Sequence, residues 1–187
     1  LYATPVVQFP NLFGLLWTVF AVGDLDGDGR LDVGSRASSS VRFTRGGANG
    51  PTGDLLANSQ ANSLYAVGDL NGDGRDDFVA GTGGNLLVMY NSAPYDRATW
   101  DPRAGQPQLS PPVANEGWGS AVAAGDFNGD GFEDIAVGAP QYLTNRGRVY
   151  VYHGAATGLS ATPTAVLYPP SCVGGYGGRM LGISDIN

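Results

Sequence analysis

Three nine-residue stretches carry the side chains best suited to chemistry: Asp24-Leu25-Asp26-Gly27-Asp28-Gly29-Arg30-Leu31-Asp32, Asp69-Leu70-Asn71-Gly72-Asp73-Gly74-Arg75-Asp76-Asp77 and Asp126-Phe127-Asn128-Gly129-Asp130-Gly131-Phe132-Glu133-Asp134. Each puts side-chain oxygens at positions 1, 3, 5 and 9, a glycine at position 6, and the backbone carbonyl of Arg30, Arg75 or Phe132 at position 7. Hard oxygen ligands in a glycine-kinked loop suit Ca²⁺, which takes about 6–8 oxygens in a flexible shell. Mg²⁺ fits less well, because it prefers few protein ligands and keeps several waters. Without a metal these stretches would be Asx and glycine turns. Three or four carboxylates converging in one loop repel, however, unless a cation neutralises them. At the ligand positions loop one holds four carboxylates against three in each of the others, so its affinity is expected to be the highest.

Helix-flanked calcium loops need an acid at position 12. That position is Ser35, Ala80 and Val137 here, and the flanking residues alternate as strands do. The aspartates at position 9 instead close the proposed shell from the start of a returning strand.

The rest of the chain must position these loops. The first aspartates lie at 24, 69 and 126, and a fourth start, Asp185 and Asn187, matches positions 1 and 3 of a loop in which the sequence stops. We read the chain as a fragment of a larger repeat protein. Each repeat shows an alternating segment entering the loop (Thr18–Gly23, Ser63–Gly68, Ser120–Gly125) and a strand leaving it (Leu31–Ser35, Asp77–Ala80, Asp134–Gly138). A third strand follows (Ser40–Thr44, Asn85–Tyr90, Gly147–His153), then a weaker outer one (Asp54–Ala57, Gln108–Val113, Thr164–Tyr168). Four short antiparallel strands per repeat describe a propeller blade. The predicted fold is an all-β propeller segment of about three complete blades plus partial ones. An outer strand of a preceding blade lies in 1–10, blade one spans 11–58, blade two 59–113, blade three 114–170, and a fourth begins at 171–187. Ring closure then calls for further blades, in this polypeptide or through self-assembly with another chain.

Thirty glycines and 12 prolines agree with many turns, and no window is apolar for the 18 or more residues of a membrane span. The formal charge of −7 argues against nucleic acid. Ten of the 17 acids are proposed ligands, and three Ca²⁺ ions, six positive charges, would bring −7 to −1. Cys172 stands alone, so an intrachain disulfide is excluded. Neither it nor the one histidine, His153, sits in a nucleophile context, and glycine-rich phosphate loops and Gly-x-Ser-x-Gly are absent. No catalytic site is predicted. Trp17 and Trp118 read as core, and Glu116 is a spare carboxylate with no visible partner. The longest irregular stretch, Asn91–Gly117, carries Tyr95, Arg97, Trp100 and Arg103, the expected partner contacts.

The combination resembles the FG-GAP (integrin-α-type) β-propeller repeats. Repeat three has Trp118-Gly119 in the FG place, its Asp-rich loop, and Gly138-Ala139-Pro140 as GAP. Repeat one keeps Phe13-Gly14 but has Gly34-Ser35-Arg36; repeat two has Asn62-Ser63-Leu64 and Gly81-Thr82-Gly83; repeat four keeps Tyr176-Gly177. The resemblance implies calcium between the first two strands of a blade and a secreted or cell-surface role in adhesion or ligand recognition, with a protein or glycan partner. Sites of extracellular strength, around 10⁻⁴–10⁻³ M, would fill outside cells and support that location. The alternative from the residues is a Ca²⁺-dependent, lectin-like carbohydrate-binding module attached to a hydrolase or lyase, with Trp100 and Tyr95 as stacking rings.

Overall fold

A computed structural model describes residues 18–24, 28–37, 40–48, 55–59, 63–81, 84–91 and 107–168. Among these residues twelve strands form three separate four-stranded sheets, each in chain order, and every neighbouring pair is antiparallel. Sheet one runs β1 (Thr18–Gly23), β2 (Asp32–Ala37), β3 (Ser40–Thr44) and β4 (Leu55–Ser59). Sheet two runs β5 (Ser63–Gly68), β6 (Asp77–Gly81), β7 (Leu86–Met89) and β8 (Gln108–Leu109). Sheet three runs β9 (Val122–Gly125), β10 (Asp134–Ala139), β11 (Arg148–Tyr152) and β12 (Ala165–Leu167). One four-residue helix, α1 (Tyr142–Asn145), sits between β10 and β11. Among the described residues no helix is long and apolar enough to cross a membrane.

The first strands lie side by side, β1 near β5 and β5 near β9, so the sheets stack as neighbouring blades. Stacking covers a second strand on both faces, and its sequence shows it. Every residue of β6 and β10 is buried, and both strands read as near-continuous apolar runs rather than alternating ones. Val79, Val88, Trp118, Ile135, Val137 and Tyr150 belong to one core that spans blades two and three. Phe43 of blade one meets Phe78 of blade two with ring centroids 5.1 Å apart, both fully buried. Trp118 is buried as expected and packs edge-on against Tyr152 at 6.3 Å.

Two expectations need correction. The outer strand expected over Gln108–Val113 pairs only at Gln108 and Leu109. Pro111 and Pro112 have no N–H to give the ladder, so pairing stops before them. Glu116 is not spare. It accepts bonds from Arg148 Nε (2.9 Å), Arg148 Nη2 (2.6 Å) and the Tyr150 hydroxyl (2.9 Å), all in a buried setting. The guanidinium also lies 4.1 Å from the Tyr142 ring centre. This cluster ties the strand-four to strand-one connection to the β10–β11 connection.

The FG and GAP positions of blade three meet directly. Gly119 N–H donates to the Gly138 carbonyl at 3.0 Å, and Gly138 N–H donates to Ala121 at 2.9 Å. Gly119 has φ +82°, a conformation that favours glycine. Blades one and two, which depart from the GAP pattern, still form complete four-stranded sheets.

Candidate metal centre

Each acidic loop joins the first strand of a blade to the second, and all three are built alike. The position 1 carboxylate gathers the backbone of its own loop. Asp69 accepts N–H bonds from Gly72 (2.6 Å), Asp73 (3.1 Å) and Gly74 (2.7 Å). Asp126 accepts from Gly129 (2.7 Å), Asp130 (3.1 Å) and Gly131 (2.9 Å). Asp24 accepts from Asp28 (3.1 Å) and Gly29 (2.7 Å). The N–H of Gly131 above all, joined by those of Gly129, Asp130 and Asn128, holds the Asp126 carboxyl below the usual carboxylate range, against desolvation, which ranks second and opposes them.

Position 3 oxygens bond two residues on, from Asp73 N to Asn71 at 3.1 Å and from Asp130 N to Asn128 at 2.9 Å. Position 5 oxygens take the N–H of position 7: Arg30 to Asp28 at 2.9 Å, Arg75 to Asp73 at 3.0 Å, Phe132 to Asp130 at 2.9 Å. Arg30 also forms an exposed ion pair with Asp28 at 3.1 Å, which contributes little to stability. The turn depends on position 6, where Gly29, Gly74 and Gly131 have φ of +81°, +82° and +89° with open space around them. Only glycine adopts that conformation without a penalty, so backbone geometry dictates the residue.

Position 9 differs in kind. Asp32, Asp77 and Asp134 open the second strands and are each 0% exposed. Asp77 takes Leu70 N–H at 3.0 Å and Asn91 N–H at 2.8 Å. Asp134 takes Phe127 N–H at 2.9 Å and Gly154 N–H at 2.8 Å, and Asp32 takes Gly46 N–H at 2.7 Å. Each thus pins a residue just past the third strand, and in loops two and three also the loop's second residue. Desolvation pushes the Asp77 carboxyl up to about 7. The N–H bonds from Asn91 and Leu70 oppose this, and the charges of Asp73 and Asp69 add to it. The loop therefore confines negative charge where water cannot screen it.

The donor chemistry fits a hard cation: four acid or amide side chains and one carbonyl per loop. Among the described residues no three acidic, histidine or cysteine side chains gather around one point. The carboxylates are turned instead onto backbone N–H groups, as in Asx turns. Asp26, Tyr95, Arg97, Trp100, Arg103, Cys172, Asp185 and Asn187 lie outside the described residues, as do Phe13-Gly14, Trp17 and Tyr176-Gly177. His153, at the exit of β11, is partly buried, and its carbonyl accepts from Ser160 N–H at 2.9 Å.

The position 8 acids were not singled out from sequence. Asp76 accepts the N–H of Asp24, in the previous blade, at 3.4 Å. Glu133 lies over Gly68 of its previous blade, and burial, followed by Asp126, Asp134, Asp76 and Asp69, pushes its carboxyl up. The signal was only an acid at one position in two loops, with Leu31 in the third.

Residues 118–152 match the model of the FG-GAP repeat, and residues 24–80 match that of the FG-GAP-like repeat. The chain is 42% identical over 80 residues to integrin alpha-V of Gallus gallus, covering 37% of this chain and 7% of that protein. It is 50% identical over 52 residues to integrin alpha-6 of Homo sapiens, covering 28% and 4%. It is also 49% identical over 55 residues to phosphatidylinositol-glycan-specific phospholipase D of Mus musculus, covering 27% and 7%. The chain thus spans under a tenth of the length of these curated relatives.

Proposed function

We propose that this chain, which carries FG-GAP repeats and is built of propeller blades, is a calcium-stabilised, non-enzymatic module of an extracellular adhesion or ligand-recognition protein. The observation that carries the reading is the threefold loop with its 0% exposed position 9 aspartate. A fold that buries this charge three times beside further carboxylates gains from a divalent cation at each loop. Asp24, Asp26, Asp28, Asp32 and the Arg30 carbonyl would hold the first ion. Asp69, Asn71, Asp73, Asp77 and the Arg75 carbonyl would hold the second, and Asp126, Asn128, Asp130, Asp134 and the Phe132 carbonyl the third. The ion's role is structural: it neutralises each loop and stabilises the folded form by linkage.

The adhesion part is supported by the matches to integrin alpha chains and to the FG-GAP repeat. Glu116, which looked spare in the sequence, is held by Arg148 and Tyr150. Thermal melting tests the calcium part. At tenfold excess over the dissociation constant, one site contributes about 1.4 kcal/mol and three contribute about 4 kcal/mol. For a chain of this size that is a rise of about 10 °C. Equal melting temperatures in Ca²⁺, Mg²⁺ and chelator would overturn it. Recognition is tested by binding of labelled chain to cell surfaces, expected in Ca²⁺ and lost in chelator; binding that ignores the chelator would remove calcium from the recognition step.

A further inference from the structure

Loops two and three are joined atom to atom. Glu133, eighth in loop three, donates its N–H to the carbonyl of Asp69, first in loop two, at 3.0 Å. Its side chain lies against Gly68, the residue just before loop two. Phe132 presses so closely on Gly72 that a Cβ there would stand 2.5 Å from its ring. Ala155 donates to the Leu70 carbonyl at 3.2 Å. Leu70 is itself held through its N–H by Asp77, and Gly154, which precedes Ala155, is held by Asp134. A continuous backbone run, Asp77 to Leu70 to Ala155 to Gly154 to Asp134, therefore connects the two buried position 9 carboxylates. Asp76 repeats part of the device one blade earlier, at Gly23 and Asp24.

We propose that loops two and three bind Ca²⁺ as a coupled pair, filling of either one raising the affinity of the other across this seam. The inference rests on the calcium reading above. A cation that fixes loop two also fixes the Asp69 and Leu70 carbonyls, which accept the Glu133 and Ala155 N–H groups of blade three. The ordering cost at the seam is then met once, by whichever ion arrives first, and the second ion binds a seam already formed. Repulsion between the two ions acts the other way. It is weakened by salt, which screens exposed charges beyond about 8 Å, and by the Glu133 carboxylate, which lies within the field of both loops. Ordering decides the sign.

The test is peptide-resolved hydrogen–deuterium exchange on the full chain across a Ca²⁺ titration, reading each loop separately. Asp73→Asn weakens loop two at an exposed position. The midpoint for the 126–134 peptide is expected to move to about 5- to 10-fold higher Ca²⁺. Asp130→Asn reads the same coupling at loop two, where reciprocity fixes the coupling energy and the weaker-binding loop shows the larger shift in midpoint. If one variant exchanges fully through its central strand, the other carries the test alone. Midpoints that stay within twofold in both variants, while each altered loop loses its own response, overturn the coupling. Absence of any Ca²⁺-dependent protection in the unaltered chain overturns the calcium reading along with the coupling. That outcome is distinct from loops that all respond independently.

Discussion

Asp77 gives the sharpest prediction, because its sign reverses the usual behaviour of a native carboxylate. Its ordinary value is near 3.8 and burial raises it to about 7 in the metal-free protein. Between those limits the folded state keeps a proton that the unfolded chain has lost. The Asp77 contribution to stability must therefore fall as pH rises from 4 to 7 and level off above, the opposite of a salt-bridged aspartate. The interval of about 3 pH units at ~1.4 kcal/mol each sets a ceiling of ~4 kcal/mol. The assay is urea unfolding in chelator at half-unit pH steps, with Asp77→Asn beside the unaltered chain. Asparagine removes the titration and sacrifices one of the two N–H bonds, from Leu70 or Asn91. The variant should start less stable at pH 4 and lose 2–4 kcal/mol less on the way to pH 7, by the same arithmetic (about 1.4 kcal/mol per pH unit). Added Ca²⁺ should restore stability at pH 7 and do little at pH 4, where the proton holds the site. Parallel pH profiles for the two proteins would refute the argument.

Other consequences can be checked in the same way. Gly74→Ala meets open space at φ +82° and should cost only the left-handed penalty of about 1–2 kcal/mol, whereas Gly72→Ala should cost clearly more, because Phe132 stands in the way. Equal losses in denaturant unfolding would mean that the seam between blades is not packed as described. Glu116→Ala leaves the Arg148 guanidinium buried without its carboxylate and should cost about 3–5 kcal/mol, while the joint replacement Glu116→Leu with Arg148→Met should recover most of that loss. Failure of the pair to recover would show that the two side chains do not act as one unit.

β1, β3 and β5 were legible in the sequence to the residue, and each of the twelve strands among the described residues had an expected counterpart, because local patterning and the spacing of the loops specify them. What it misjudged lay in contacts made at long range. Glu116 finds Arg148 32 residues away, a pairing that no local pattern encodes. The position 9 aspartates looked like ordinary members of a ligand set. Their complete burial, and their grip on Asn91 and Gly154 beyond the third strand, follow from blade stacking and not from loop spelling. Likewise Asp76 and Glu133 are adjacent in sequence to proposed ligands yet serve the neighbouring blade. The opposite error came at Gln108–Val113, where two prolines were legible in the sequence and were given too little weight.

The central claim is that this chain holds calcium in three like loops. Calorimetric titration of the metal-free chain with Ca²⁺ tests it most directly, with MgCl₂ as the control. About three Ca²⁺ ions per chain and little heat from Mg²⁺ are expected, with the strongest site lost in Asp24→Ala because loop one carries four carboxylates at the proposed ligand positions. A flat calcium titration of folded protein would contradict it and leave the acidic loops as hydrogen-bonded turns alone.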